Sequence, residues 1–403
     1  MSDETAKQHP SSPPPAAADP PPAPGTPSSP AGLPTPASPG TPAAGTATAA
    51  AAAAAASPVN TPPPAVQTPP PQVHPGTAAL EADTVDDDDD GDSALDVNSV
   101  GGDSASLASS ILKYRVENGR TYHAFKAGAY VLPNDEIENE RLDLQHAMCV
   151  LTIDNQLYTC PAGKHGHTIH RALDVGCGTG IWTMDFADEH PETQVIGVDL
   201  SPIQPSFVPP NVTFYVDDIE AEWTYNDPFD FVHLRMMAAS IRDWPGLFGQ
   251  IYQNLAPGGW VELHDPIYPM YSDDGTLTED LAVYKWSKFM AEAADKLGSR
   301  LDSGLAYRQQ LLDVGFTNVV QRVYKWPMNT WPKDPKHKEL GAWCLENIMQ
   351  GLQALSLALF TRALGWKPDE LELFLVDVRK DLRNRNIHGY WKIVVTYAQK
   401  PEV

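Results

Sequence analysis

The sequence predicts an α/β protein built on a doubly wound, seven-stranded, mostly parallel sheet. A C-terminal antiparallel strand pair, extra helices and a disordered N-terminal tail complete the expected architecture. Three observations carry this expectation. Short apolar runs alternate with helical patterns from RALDVG (171–176) to WVELH (260–264). The first of these runs ends in a glycine-rich loop. The last two candidate strands, NVVQRVYKW (318–326) and YWKIVVTYA (390–398), alternate polar and apolar residues as an antiparallel hairpin at a sheet edge does.

The tail is defined by composition. Of the 39 prolines, 22 fall within residues 1–80, where large apolar side chains are nearly absent. Such a segment buries too little surface to offset the entropy of ordering. Residues 1–105 hold 13 of the 52 acidic side chains and one of the 28 basic ones, so half of the formal charge of -24 lies there. Asp86–Asp90 reads as a solvated spacer, and the Ser/Thr-Pro steps at Thr26, Ser29, Thr35 and Ser57 are what this composition produces by itself. Apolar residues return at Leu107, Ile111 and Leu112, which places the tail at 1–105 and the folded domain at 106–403.

Within the domain the elements follow in order. Ile137, Leu142, Leu144 and Met148, spaced among charges, predict a helix over 136–151. RALDVG (171–176) is a buried strand, and residues 181–189 form a helix stopped by Pro191. VIGVD (195–199), VTFYV (212–216) and DFVHL (230–234) are the next strands. Asp243 caps a helix through Leu255 with Trp244, Leu247, Phe248 and Ile251 on one face. Pro257-Gly258-Gly259 makes a turn into the fifth strand, WVELH (260–264). Thr278 caps a long helix ended by Gly298, and Tyr307–Val314 is a shorter one. Helices over Lys338–Leu364 and Asp369–Asn384 separate the last two strands. Leu352–Leu364 is too short to span a bilayer and belongs to a core or lid helix.

Composition excludes several functions. A strongly acidic chain is poorly suited to wrapping nucleic acid, whose phosphates require Lys and Arg. No run of about 18 apolar residues suggests a membrane span. The opening MSDETAKQHPSSPPP lacks the apolar stretch of a secretory signal. Cys149, Cys160, Cys177 and Cys344 are too scattered for a disulfide framework. These features fit an intracellular protein, cytoplasmic or nuclear. Cys160, His165, His167 and His170 match no standard zinc spacing, so no metal is expected.

The loop Asp174-Val-Gly176-Cys177-Gly178-Thr179-Gly180 lies where the first strand meets its helix. The dinucleotide fingerprint places its third glycine three residues after the second, but Ile181 stands there and Gly180 comes one earlier. That spacing suits S-adenosyl-L-methionine better than NAD. A side chain at Gly180 is expected to enter the space of the cofactor's methionine part and to leave the fold intact. Asp199 closes the second strand, where a carboxylate can accept both ribose hydroxyls. Asp217-Asp218-Ile219 closes the third, beside the expected adenine.

With DVGCGTGIW, VIGVDLS, VDDIEAEW, FDFVHLRMM and LAPGGWVELHD on the page, the chain resembles the class I S-adenosylmethionine-dependent methyltransferases, Rossmann-like in fold. The flanking YRVENGRTYHAFKAGAYVLPNDEIENERLDLQHAM, KWPMNTWPKD and IHGYWKIVVTYAQKP resemble fungal members related to the velvet-complex regulator of secondary metabolism and similar to trans-aconitate methyltransferases. The resemblance covers about residues 110–401 and implies Gly176, Gly178, Gly180, Asp199, Leu200, Asp218 and Ile219 as cofactor contacts. Asp174, which opens the motif, and Arg235 join that set. The resemblance implies a methyl acceptor that is a small metabolite or a protein, or a regulatory subunit of a nuclear complex controlling secondary-metabolite genes.

Methyl transfer from a sulfonium mostly requires alignment, and a base only when the acceptor must lose a proton. The stretch His233-Leu-Arg235-Met-Met departs from the N-P-P-Y pattern of enzymes that methylate base amino groups. Both His233 and Arg235 are expected to face the crevice, with Arg235 either clamping a carboxylate or paired with a nearby acid. Tyr130, Glu140, Arg141 and His146 form either a lid or a packed N-terminal helix. Glu262 and His264 share a strand face and offer either a base or a satisfied polar pair.

Overall fold

The computed structural model describes residues 114–126, 130–164 and 168–403. The tail at 1–105 and the domain start near Ser106 lie outside the described residues. Five parallel strands form the heart of the sheet: β3 (Arg171–Val175), β4 (Gln194–Asp199), β5 (Val212–Val216), β6 (Phe229–Arg235) and β7 (Leu255–Tyr271). Their apolar runs are nearly continuous because helices cover both faces. Two further strands, β8 (Thr317–Pro327) and β9 (Tyr390–Gln399), complete the order β5-β4-β3-β6-β7-β9-β8. The order reverses between β3 and β6, and a crevice opens at the carboxyl ends of strands at such a point.

The last two strands are antiparallel to each other, as expected, but they are not an edge hairpin. Two helices separate them, and β9 pairs with β7 on one side and β8 on the other. Flanked twice, β9 buries nearly its whole length, so of these two strands β8 alone is an edge, opposite β5. The Pro257-Gly258-Gly259 turn is absorbed into β7 as a bulge: Leu255 pairs with Phe229 and Trp260 with Phe231. A small hairpin not foreseen, β1 (Arg115–Glu117) and β2 (Arg120–Tyr122), turns on Asn118-Gly119. Both turn residues have positive φ (51° and 81°), the conformation an Asn-Gly pair favours.

The helices are α1 (Glu136–Thr152), α2 (Ile181–Glu189), α3 (Trp244–Asn254), α4 (Ala282–Lys296), α5 (Tyr307–Val314), α6 (Pro335–Leu359) and α7 (Pro368–Arg383). Asp243 caps α3 by accepting the Gly246 N–H, as expected. Thr278 does not cap α4. That helix starts at Ala282, and the N–H of Val283 is satisfied by the Asp381 carboxylate of α7, 3.1 Å away. Helix α6 begins three residues earlier than expected, behind Asp334 and Pro335, and continues as a π-turn over Phe360–Leu364. Helices α1, α4, α6 and α7 share one core, with Trp286, Leu352, Phe360 and Leu371 fully buried. A second core packs α3 and α5 on the sheet, and a third packs α2.

Buried polar groups tie these layers together. Glu262 and His264 are a satisfied pair, with His264 Nε2 2.6 Å from the carboxylate. Glu262 also accepts the backbone N–H groups of Thr159 and Cys160, anchoring that segment beneath the sheet. Asp265 accepts the Ala238 N–H and the Tyr307 hydroxyl, each at 2.8 Å. Burial pushes Asp265 up to about 7. His233 Nδ1 lies 2.9 Å from Asp174, its ring stacks on Trp182 at 3.7 Å, and burial pulls it down to about 4.

The two shifts act in opposite directions. Between about pH 4 and 7 the folded protein keeps a proton on Asp265 that the unfolded chain has released, so this group makes stability fall as pH rises. Between about pH 4 and 6.5 unfolded His233 takes up a proton that the folded imidazole refuses, so this group makes stability rise with pH. Asp265→Asn removes the first contribution alone. Its stability relative to wild type should climb by about 1.4 kcal/mol per pH unit from about pH 4 to 7 and level off above, measured by urea unfolding. A flat difference across that range would place the titration elsewhere.

Candidate functional site

The crevice at the carboxyl ends of β3, β4, β5 and β6 holds a cleft of about 140 Å³. The glycine loop joining β3 to α2 forms its floor. Gly176 and Cys177 donate their N–H groups to Val198 O, which docks the loop on β4. One Asp199 oxygen accepts the Gly178 N–H and the other the Ser201 N–H, both at 2.9 Å. Burial raises this carboxyl above its usual range, and the two N–H bonds oppose that rise.

Seven of the nine residues singled out in the sequence line this cleft: Gly176, Gly178, Asp199, Leu200, Asp218, Ile219 and Arg235. Asp174 does not. It is buried beneath the loop, accepting from Thr183 at 2.6 Å and facing His233. Gly180 does not line the cleft either. It caps α2 with φ 81°, and a Cβ there would overlap the Phe214 ring on β5, so the expectation of a side chain pushing into cofactor space is corrected. His233 faces the crevice as expected: with Asp174, Trp182 and Arg235 it lines a smaller cavity of about 50 Å³ that shares Leu142, Gly176, Gly178, Arg235 and Met236 with the cleft, and its Nε2 has no hydrogen-bond partner.

Arg235 reaches the cleft without a carboxylate partner among the described residues. Its Nη2 donates to His146 Nδ1 at 3.2 Å, and His146 Nε2 meets Asp185 at 3.0 Å. A histidine that accepts at Nδ1 and donates at Nε2 is the neutral tautomer. Asp185 therefore orients His146, and His146 orients Arg235. Of the other α1 residues, Glu140 is exposed, and Arg141 is buried in a two-point pair with Glu138 at 2.7 and 3.0 Å. A third Arg141 N–H donates to Asn347 on α6 at 2.8 Å. The partner Glu138 was missed in the sequence, although its spacing of three from Arg141 marks a pair on one helix face.

The segment before α1 roofs the cleft. Lys126 forms an ion pair with Asp218 at 3.0 Å, and Tyr130, Pro133 and Asn134 line the wall. Cys177 turns toward Gln204, and burial raises its thiol well above the ordinary range. Among the described residues no group of His, Cys, Asp and Glu could hold a metal, while His165 and His167 lie outside them.

A second cavity of about 110 Å³ adjoins the cleft, and Tyr130, Leu142 and Met236 line both. Its other walls come mainly from α1, α4, α6 and strands β7, β8 and β9, with Tyr268, Met290, Trp326, Ile348 and Trp391 the largest. No Asp, Glu, His or Lys lines it among the described residues. Sequence patterning missed this cavity because its residues come from widely separated stretches of chain whose apolar spacing reads only as core.

A sheet of this order with an acid-ended β4 and a glycine loop defines a nucleoside-binding α/β protein. The methyltransferase-domain family profile matches residues 142–321. The chain is 40% identical over 310 residues to "Methyltransferase pytC" of Aspergillus terreus, covering 76% of this chain and 95% of that protein. It is 39% identical over 291 residues to "Secondary metabolism regulator LAE1" of Cochliobolus heterostrophus, covering 71% and 95%. "Probable methyltransferase tdiE" of Emericella nidulans is 36% identical over 300 residues, covering 73% and 92%. The chain belongs to this methyltransferase family and is a methyltransferase dependent on S-adenosyl-L-methionine. No helix among the described residues is long and apolar enough to cross a membrane.

The Phe214 contact changes what Gly180 is expected to do. Gly180→Val combines a disfavoured backbone conformation with a ring overlap and should destabilise the fold by about 2–4 kcal/mol in thermal or urea unfolding. Loss of cofactor binding at unchanged stability would return Gly180 to the cleft.

Proposed function

We propose that the chain methylates a small, largely apolar molecule held in the second cavity, with the cofactor in the adjoining cleft. The observation that carries this reading is the shared wall of Tyr130, Leu142 and Met236, which brings the two chambers together. The cleft suits the cofactor. The missing Cβ of Gly178 would touch only Leu142 Cδ1, at 3.5 Å, so the backbone lies open to a ligand. The buried Asn134 Oδ1 on the cleft wall has no hydrogen-bond partner, as expected of an acceptor that meets a ligand donor.

Each residue then has a role. Asp199 accepts the ribose hydroxyls with the lone pairs its backbone bonds leave free. Asp218 and Ile219 border the adenine, and Gly176 and Gly178 give backbone approach to the methionine part. Arg235, aimed by neutral His146, binds the methionine carboxylate. Asp174, which accepts from Thr183 and faces His233 on the wall of the smaller cavity, acts as a positioning residue.

S-adenosylmethionine, when bound, supplies a methyl on a sulfonium whose departure as a neutral thioether needs no acid. The acceptor's lone pair forms the new bond to carbon as the sulfur–carbon bond breaks. Among the described residues the acceptor cavity contains no carboxylate or imidazole to remove a proton, and burial raises the Tyr130 and Tyr268 hydroxyls, which stay protonated. The protein therefore contributes alignment and exclusion of water, and the acceptor brings an atom that is already nucleophilic. A regulatory role in a nuclear complex is a second reading, favoured by relatives described as secondary metabolism regulators.

Asp199→Ala should weaken S-adenosylhomocysteine binding by about 1.5–3 kcal/mol in calorimetry, because a charged acceptor is lost. In thermal shift, S-adenosylmethionine and S-adenosylhomocysteine at 100 times Kd should each add about 2.7 kcal/mol, and NAD nothing. Stabilisation by NAD alone would overturn the assignment of the cleft. Methyl-labelled cofactor, incubated with the protein and native extract, should label the small-molecule fraction. Label confined to protein would overturn the acceptor reading.

A further inference from the structure

The acceptor cavity has a second neighbour. Val131 and Ala239 separate it from a cavity of about 180 Å³ whose polar lining is Arg115, Arg242, Arg362 and Ser299. The three arginines come from distant parts of the chain: β1, the loop after β6, and the π-turn that ends α6. In a chain of formal charge -24, three guanidinium groups around one chamber invite a functional account.

Their charge is incompletely balanced. Glu117 pairs with both Arg115 and Arg362, and its carboxyl is held below the usual range chiefly by Arg362. One carboxylate thus serves two guanidiniums. Arg242 forms no salt bridge among the described residues. The nearby Glu220 accepts the backbone N–H groups of Arg242 and Asp243, at 2.9 and 3.1 Å, rather than the guanidinium. Arg242 also lines the cofactor cleft, so the arginine chamber borders both functional cavities.

We propose that the methyl acceptor carries an anionic end, a carboxylate or a phosphate, that docks between Arg115, Arg242 and Arg362 while its apolar body fills the adjoining cavity. This rests on the reading of that cavity as the acceptor site. Arg115 and Arg362 lie on its Val131–Ala239 side alone, Arg242 reaches from there to the cleft wall, and the glycine loop is reached through the Leu142–Met236 side. The anion is therefore a distal anchor, and a different atom of the acceptor receives the methyl group. Guanidiniums suit this task because they bind carboxylate and phosphate oxygens in pairs.

The test uses the full chain saturated with S-adenosylhomocysteine and titrated calorimetrically with naphthoate, naphthyl phosphate and naphthalene methanol. These share an apolar body and differ at one end. At least one anion should bind about tenfold or more tightly than the alcohol, as charge-assisted hydrogen bonds would give. The tighter anion identifies the group. The preference should shrink in added salt and collapse towards parity in Arg242→Gln and Arg362→Gln. Because Arg242 borders the cleft, Arg362→Gln is the cleaner variant, and its affinity for S-adenosylhomocysteine should equal that of wild type. Equal binding of alcohol and anions to wild type overturns the anchor and leaves the apolar cavity standing. An anion preference that survives in both variants also overturns it. If no probe binds while S-adenosylhomocysteine does, the acceptor cavity itself is misassigned and the anchor falls with it.

Discussion

Asp199 is the pin on which the cleft depends. Its two oxygens hold two backbone segments at once, the glycine loop through Gly178 and the turn after β4 through Ser201. A carboxylate so placed is partly desolvated, and its pKa rises above the ordinary range. The N–H bonds keep the anion tolerable there. Each oxygen keeps a lone pair beyond its backbone bond, and Asp199 lines the cleft. Parallel strands bring β3 and β4 to a common carboxyl end, and the glycine loop lies within reach of Asp199 only because β3 and β4 pair in register from Arg171↔Gln194 to Val175↔Val198.

The polar groups around the glycine loop fall into two layers with different duties. Asp199 and Arg235 reach the cleft. Asp174 and His233 line the smaller cavity beside it, while Glu262 and His264 lie beneath; all four have exposure of 3% or less. Asp174 and Glu262 bind backbone or hydroxyl donors, which locks the loop and the sheet face under it. His146 belongs to neither layer. It stands between Asp185 and Arg235, and its tautomer fixes which way the guanidinium points. The cleft is therefore positioned in part by groups, Glu262, His264 and Asp185, that line neither it nor the smaller cavity beside it.

The fold was legible in the sequence because a parallel sheet writes itself as apolar runs punctuated by helices. The strand ends were legible too, since acids that close β4 and β5 stand out against Val and Ile. Gly180 was misread because spacing identifies a glycine loop but not the direction in which each missing side chain would point; here the Phe214 ring occupies that direction. His233 was legible: its place near the end of β6 put it at the crevice, where it lines the smaller cavity beside Arg235 while its ring stacks on Trp182. Glu138, Asn347 and the apolar chamber were not legible because they depend on how α1 and α6 meet, and those helices lie about 200 residues apart in the chain.

The arginine chamber shows how a strongly acidic protein can still present a local positive site. Residues 106–403 alone carry a formal charge of about -12, a field that repels anions at long range. At physiological salt that field is screened beyond about 8 Å, whereas guanidiniums lining a chamber act over hydrogen-bond distances and are screened less. Attraction of an anionic molecule therefore has to come from contact rather than steering. Slow, unsteered entry followed by firm anchoring suits an acceptor whose apolar body already favours the adjoining cavity, because burial of that body brings the charged end to the arginines. Described residues ahead of α1 reach all three chambers: Arg115 lines the arginine chamber, Val131 lies between it and the apolar cavity, and Tyr130 lines the cleft. Lys126 pairs with Asp218 on the cleft wall, so residues of this part of the chain serve the cofactor cleft and the arginine chamber alike.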